Sequence, residues 1–165
     1  MIHARKSGRK GNAAVEFALV LVPMTLMMLG IMELGRMAWI YQTLASAVKS
    51  ATRQAIVRGE SCVAANPACT QKTSDLMSNI HQSGIGLDLD VLVVELQAGS
   101  TVKSCAPASS CLTDNSAWPD SPQNAVGMPL TIRASYLTRP MFIQAVAPSS
   151  VGITLKASSR EAIQF

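Results

Sequence analysis

The sequence predicts an α+β protein in which a long N-terminal helix, first transmembrane and then amphipathic, packs on a small antiparallel β-sheet. Three observations support this prediction. Apolar side chains are concentrated in residues 13–41 of a chain that is 48% hydrophobic and 15% charged. Residues 37–58 show helical periodicity, and two segments near the C-terminus alternate apolar and polar side chains with the period of a strand. The expected shape is a helical stalk that carries a small domain.

Positive charge is concentrated in a basic tip, residues 1–11. This tip has no acid and accounts for the whole net charge of +4 through Arg5, Lys6, Arg9 and Lys10. The remainder holds ten basic and ten acidic residues. Basic residues ahead of an apolar segment keep that end in the cytoplasm, so residues 42–165 are expected beyond the membrane. The chain has seven aromatics and no basic face interleaved with them, so no nucleic-acid partner is predicted.

The N-terminal helix is predicted over residues 12–58, about 70 Å at the helical rise. Its membrane part is residues 13–36, because the first twenty residues span about 30 Å and include few polar or helix-disturbing residues: Glu16, Pro23, Thr25 and Gly30. Its amphipathic part is residues 37–58, where apolar side chains recur at three- and four-residue spacing. Gly59 is the expected stop.

A charged motif marks the expected outer membrane boundary. Glu33 and Arg36 flank Gly35 and are three residues apart, so their side chains can pair on one helix face. Trp39 and Tyr41 follow at the position of an interfacial aromatic belt. The pair either eases the charges into the headgroup region or contacts another subunit, and the sequence leaves both interpretations open.

The outer domain, residues 59–165, is predicted to begin with loops and one short helix at about Lys72–His81. Leu89–Gln97 is nearly continuously apolar, as expected for a strand covered on both sides. Met128–Leu137 and Val151–Ser158 alternate, as expected for strands with one wet face. Ser100–Asn124 is rich in Ser, Pro and Ala and is predicted to be a long exposed loop.

Four cysteines form two local pairs in sequence, Cys62 with Cys69 and Cys105 with Cys111. Disulfides are expected beyond the membrane, with local and crossed pairings both open. Neither pair has the spacing of a zinc knuckle, and His3 and His81 supply no matching ligand pair, so no metal is predicted. No motif places a nucleophile beside a base, so neither an enzyme nor a cofactor is predicted.

The segment Gly11-Asn12-Ala13-Ala14-Val15-Glu16-Phe17 places one carboxylate in an otherwise apolar run. A lone acid in a membrane segment is costly, by at least a few kcal/mol when ionised, and marks a functional site. The pattern resembles the cleavage site of type IV prepilins, in which a membrane peptidase cuts after the glycine. By that resemblance Asn12 becomes the N-terminus, with Glu16 fifth and Phe17 sixth. Gly8 offers no such register, because Ala13 lies five residues after it.

Together with Glu33-Leu34-Gly35-Arg36, this motif resembles the TadE-like pseudopilins of tight-adherence (Tad, or Flp) pilus systems, over residues 8–58. The resemblance implies a pilin-like lollipop, processing by the prepilin peptidase, and a single pass through the bacterial inner membrane. It also implies partners among other pilins and the inner-membrane platform, in pilus initiation or assembly that serves adhesion, biofilm growth or DNA uptake. The outer domain favours a minor subunit, because the major pilins are much shorter.

Glu16 then has a chemical role. Cleavage leaves a cationic α-amino group on Asn12, and the carboxylate of a neighbouring subunit can neutralise it and set the register between helices. Pairing within one chain, or protonation in the bilayer, are the alternatives. Two other functions remain open: an uncleaved, membrane-anchored periplasmic binding module, and a filament-tip adhesin that binds through residues 100–124.

Overall fold

The structure, a computed structural model, describes residues 9–141 and 152–164, with side chains from residue 13 onward. Its architecture is α+β, as predicted, with helices α1 (Arg9–Ile56), α2 (Glu60–Ala65) and α3 (Thr73–Ser83). The strands are β1 (Leu92–Ala98), β2 (Thr101–Cys105), β3 (Pro129–Thr138) and β4 (Ile153–Ala162). The chain divides into two compact units, one ending at Arg36 and one beginning at Met37.

The four strands form one antiparallel sheet in the order β2-β1-β3-β4. β1 and β2 are consecutive and are joined by Gly99 and Ser100. Gly99 has a φ of +54°, a left-handed conformation that glycine adopts without steric cost. Antiparallel registry places Glu95 of β1 opposite Arg133 of β3, and Arg133 opposite Ser158 of β4. The prediction of a small antiparallel sheet is therefore confirmed.

The core lies between the inner face of the sheet and two helices. Leu44, Val48 and Ala51 of α1 are buried at the three- and four-residue spacing that the sequence showed. They belong to one apolar cluster with side chains of α3 and the sheet, which include Leu76, Met77, Ile80, Leu92, Val94, Leu96, Leu130 and Ile132. The amphipathic half of α1 therefore supplies one wall of the core.

Helix α1 ends at Ile56, two residues before the predicted end. The amide of Gln164, just beyond β4, donates to the carbonyl of Ile56 at 3.0 Å and satisfies an acceptor that helix ends leave open. Gly59 is the N-cap residue of α2, a helix that the sequence analysis did not predict. The predicted helix at Lys72–His81 is α3, displaced by one to two residues.

The prediction that β1 is covered on both sides was wrong. Its side chains alternate strictly: Leu92, Val94, Leu96 and Ala98 are buried, whereas Glu95 is exposed. Val93 and Gln97, on the same side as Glu95, are only half-buried. The helices pack on one face of the sheet, and no described layer covers the other. The apolar run thus reflects β propensity as well as burial.

The two strands with one wet face were predicted correctly, with shifted ends. β3 begins one residue later and ends one residue later than predicted. β4 begins at Ile153 and continues to Ala162, four residues past the predicted end. Val151, the predicted first residue of that strand, lies outside the described residues. β4 pairs along its full length with β3 and is an edge strand.

The prediction that residues 100–124 form a long exposed loop was also wrong. The segment contains β2 and a short 3-10 helix at Ala108–Cys111, and it buries Ala108, Cys111 and Trp118. The amide of Trp118 donates to the carbonyl of Gln71 at 2.9 Å, and Lys72 forms a β-bridge with Ala117. The composition of residues 100–124 predicted a loop, whereas contacts with Gln71 and Lys72, which are distant in sequence, give this segment a defined structure.

The four cysteines form two local disulfides, Cys62–Cys69 and Cys105–Cys111. The first joins α2 to a short 3-10 helix at Pro67–Cys69, and the second joins the end of β2 to the 3-10 helix that follows it. Cys105 and Cys111 are buried within the apolar cluster. The crossed pairing, which the sequence left open, does not occur.

A polar cluster fastens the segment after β2 to the start of α3. The Lys103 ammonium pairs with the Asp114 carboxylate and also contacts the hydroxyls of Ser116 and Thr73, the latter at 3.0 Å. The amide of Thr73 donates to the carbonyl of Ser116 at 3.0 Å. Hydrogen bonds from Lys103 and from the Ser116 amide lower the pKa of Asp114 from 3.8 to about 2.

We expect Leu44→Ala to lower the free energy of unfolding by about 2–5 kcal/mol, because it leaves a cavity in a fully buried site. The matched control is Leu137→Ala, whose side chain is 37% exposed and should contribute much less. Denaturant unfolding of the full chain, followed by near-UV circular dichroism, measures both changes. Equal losses would show that Leu44 is no more buried than Leu137.

We also expect the Lys103–Asp114 pair to stabilise the fold in a pH-dependent manner. Because its pKa is lower in the folded protein, Asp114 stabilises the fold above its unfolded-state pKa, and that contribution is lost as the pH falls towards about 2. Asp114→Asn should therefore lower the melting temperature at pH 7, by an amount that shrinks on acidification below about pH 5. Asp120→Asn, an exposed control outside this cluster, should show neither effect.

Candidate functional site

The first part of α1 is an apolar surface that the described chain does not cover. Every side chain from residue 13 to residue 32 is exposed. These twenty residues extend about 30 Å and contain one ionisable group, the carboxylate of Glu16. Helix α1 is long and apolar enough, by length and composition, to cross a membrane. It is therefore a candidate membrane anchor, as the sequence predicted.

Pro23 lies inside this helix and removes one backbone donor. Two residues later, the hydroxyl of Thr25 donates to the carbonyls of Val22 at 2.8 Å and Leu21 at 3.0 Å. In hydrocarbon a hydroxyl without a partner costs several kcal/mol, or roughly 4–8 on a water-to-cyclohexane scale. Thr25 is thus compatible with lipid, because its hydroxyl bonds within its own helix.

Glu16 differs from Thr25 because it has no such partner. Its side chain is exposed, and no ion pair or hydrogen bond joins it to any residue that the structure describes. Phe17, the next residue, is also exposed. Gly11 and Asn12 lie in α1, within residues whose side chains are not described. Among the described side chains, the one carboxylate of the apolar segment therefore has no partner.

The structure brings the two charges of the boundary motif together. The Glu33 carboxylate accepts from the Arg36 guanidinium at 2.5 Å and 3.1 Å through one oxygen. The Glu33 side chain is 15% exposed and that of Arg36 is 35% exposed. Trp39 and Tyr41 follow, both exposed. This arrangement suits an interface, where charges pair and aromatic rings lie at headgroup level.

Gly35, between the paired charges, has open space around it. A Cβ built on this residue would meet nothing within 4 Å, and the same holds for Gly30. The described chain therefore gives no packing reason for either glycine. Small residues on exposed membrane helices permit close approach of other helices, so this side of α1 can accommodate a neighbour.

The described residues also bear on metal and cofactor binding. Within 9–141 and 152–164 no group of three or more His, Cys, Asp or Glu side chains is placed to hold a metal ion. All four cysteines are engaged in disulfides and present no thiolate.

One polar surface was missed by the sequence analysis. Arg133, Lys156 and Arg160 project from β3 and β4 on the side of the sheet that faces away from the helices. The alternating pattern placed Arg133 and Lys156 among the polar positions of their strands, and Arg160 lies four residues after Lys156. Their proximity to one another depends on the register between strands, which the sequence does not show.

These features describe a long helix, whose first part is a candidate membrane anchor, that continues into a small α+β domain. Residues 11–53 match the family model of TadE-like proteins. This match confirms, for the N-terminal segment, the resemblance that the motifs indicated. No curated protein and no solved structure matches the chain. The match ends within α1 and covers no part of the sheet.

Proposed function

We propose that this protein is a minor pilin of a Tad pilus that a prepilin peptidase cuts after Gly11 and that then acts in pilus initiation or assembly. The observation that carries the proposal is the carboxylate of Glu16, which has no partner among the described side chains and lies on the exposed apolar part of α1, residues 13–32. This carboxylate lies within the segment that matches TadE-like proteins. The protein is held in the bacterial inner membrane by one helix, with its basic tip cytoplasmic and its outer domain periplasmic.

Cleavage supplies a positive charge that can neutralise the Glu16 carboxylate. The new α-amino group of Asn12 is a cation at the N-terminal end of a helix, where the aligned backbone dipoles add positive potential. Glu16 lies four residues later, about 6 Å along the axis. A Glu16 carboxylate of one subunit therefore meets the amino group of the next when their helices are offset by about this distance.

Close approach between these helices is favoured by small side chains beside the acid. Ala13, Ala14 and Ala18 are exposed and surround Glu16 in sequence, so a neighbouring backbone can come near. In lipid the pairing is strong, because the alternative is an uncompensated charge in hydrocarbon. The same ion pair thus neutralises both groups and sets the axial register of the assembly. Adhesion and biofilm growth are the organism-level roles that such a pilus serves.

We expect the mature chain to begin at Asn12 only when the prepilin peptidase of its own system is co-expressed. Intact mass and N-terminal sequencing of the full-length product measure this. Gly11→Val should abolish the cut, because it replaces the residue before the scissile bond. Gly8→Val is the matched control and should be cut normally, since it lies outside the register. A wild-type chain that keeps residues 1–11 in the presence of the peptidase would favour the uncleaved binding module.

A second expectation concerns assembly after the cut. Glu16→Gln should be processed and inserted normally, but its recovery in sheared surface pili, and its co-purification with other pilins from membranes, should fall at least tenfold. The amide is close in size to the carboxylate but cannot neutralise an α-ammonium group. Glu60→Gln, an exposed acid on α2, is the control and should assemble as the wild type does. Unchanged assembly of Glu16→Gln would contradict the register role.

A further inference from the structure

The outer face of the sheet, the side turned away from α1 and α3, is polar and open. On β4 the outward positions are Thr154, Lys156, Ser158 and Arg160, all exposed. On β3 Arg133 is exposed, with Thr131 and Ser135 half-buried on either side of it. Within the described residues no helix or loop covers this face. It is distinct from the apolar helix surface on which the pilin proposal rests.

Strand register brings three cations together on this face. Arg133 lies opposite Ser158, and Lys156 and Arg160 are the residues two positions before and after Ser158. Diagonal neighbours of this kind have Cα or Cβ atoms roughly 7–8 Å apart, within reach of long side chains. Along β4, Lys156 and Arg160 are separated by about 13 Å. Arg133 therefore lies between two further positive charges.

Little negative charge balances them. The Arg133 guanidinium donates to the Gln97 amide oxygen at 3.1 Å and does not form an ion pair with Glu95, although Glu95 is directly opposite. The side chains of Lys156 and Arg160 make no ion pair or hydrogen bond with any residue that the structure describes. Like charges at this spacing repel one another, so the face is arranged to gain from a bound anion.

The cations border one continuous groove. Two adjoining depressions of about 290 Å³ each share Arg133 and Ser158. The first also includes Glu95, Ser135 and Lys156, and the second includes Gln97, Thr131 and Arg160. The groove crosses β1, β3 and β4, and its lining combines positive charge with hydroxyl and amide groups. No aromatic side chain contributes to this lining.

We propose that this groove binds an acidic polysaccharide, a polymer whose sugar units carry carboxylates. The three cations pair with successive carboxylates, and the hydroxyls of Ser135 and Ser158 and the Gln97 amide bond to sugar hydroxyls. Single-stranded nucleic acid fits less well, because its binding sites stack bases on aromatic rings. A protein partner fits less well too, since interface hot spots centre on aromatic side chains and pockets for them.

The test uses the full chain in nanodiscs of neutral phosphatidylcholine, with size-fractionated uronate oligosaccharides from alginate as the probe. The doubly reversed variant Lys156→Glu/Arg160→Glu should bind at least tenfold more weakly than the wild type. The matched control is Lys49→Glu/Arg53→Glu, which makes the same change in charge on two exposed cations four residues apart on α1. It should stay within twofold, and wild-type binding should weaken as added salt screens the charges.

A milder variant, Lys156→Gln/Arg160→Gln, guards against misfolding and should show an intermediate loss, with circular dichroism and melting temperature unchanged. Equal losses in the α1 control would show that only net charge matters and would overturn the proposal. Absence of wild-type binding would overturn it, as would tighter binding of a single-stranded DNA oligomer or of nanodiscs with anionic phosphatidylglycerol. Peptidase cleavage enters none of these readouts, so the outcome is independent of the pilin proposal.

Discussion

The fold of the outer domain depends on one packing interaction, the contact between the buried stripe of α1 and the inner face of the sheet. Leu44 and Val48 fill space, whereas Ala47, Ala51 and Ala55 are small and fully buried. Small residues on a helix let neighbouring elements come close, and here the partners are α3 and the sheet. Burial of a Leu side chain contributes about 1.5–3 kcal/mol, so a stripe of this length is a major share of the stability of a small domain. Within the residues that the structure describes, the sheet is covered on one face, and this stripe forms a large part of that cover.

Hydrogen bonds at the end of that helix tie the rest of the domain to it. The amide of Gln164, just after β4, donates a hydrogen bond to the carbonyl of Ile56. The Gln54 side chain donates to the Gln71 side chain at 3.2 Å. Gln71 in turn accepts the amide of Trp118 on its backbone carbonyl, and the Lys103–Asp114 pair holds the same region against α3. Segments far apart in sequence therefore converge on α1. Two disulfides add local constraints within loops.

The same helix has a second surface with the opposite property. Between residues 13 and 32 it is apolar on every side, so no face of it can be assigned to a core of this chain. Lipid or other apolar helices must cover it. In the proposed function, the cation that pairs with the carboxylate of Glu16 is the α-amino group that cleavage creates on Asn12. Assembly would then do two things at once: it would neutralise the Glu16 carboxylate and cover the apolar surface of the helix. This links the candidate anchor to the function proposed for it.

The sequence by itself determined the features that depend on neighbours along the chain. Helix α1, its apolar and amphipathic parts, the pairing of Glu33 with Arg36, and the alternation of β3 and β4 all follow from local periodicity. β2 and the disulfides are local, but the composition of residues 100–124 concealed the strand and the cysteine spacing allowed a crossed pairing. Tertiary structure alone decided the order of residues 100–124, because it depends on contacts with Gln71, Lys72 and Thr73, which are distant in sequence. It also decided the outer groove. Lys156, Arg160 and Arg133 are more than twenty residues apart between strands, and only hydrogen-bonded register places their charges side by side.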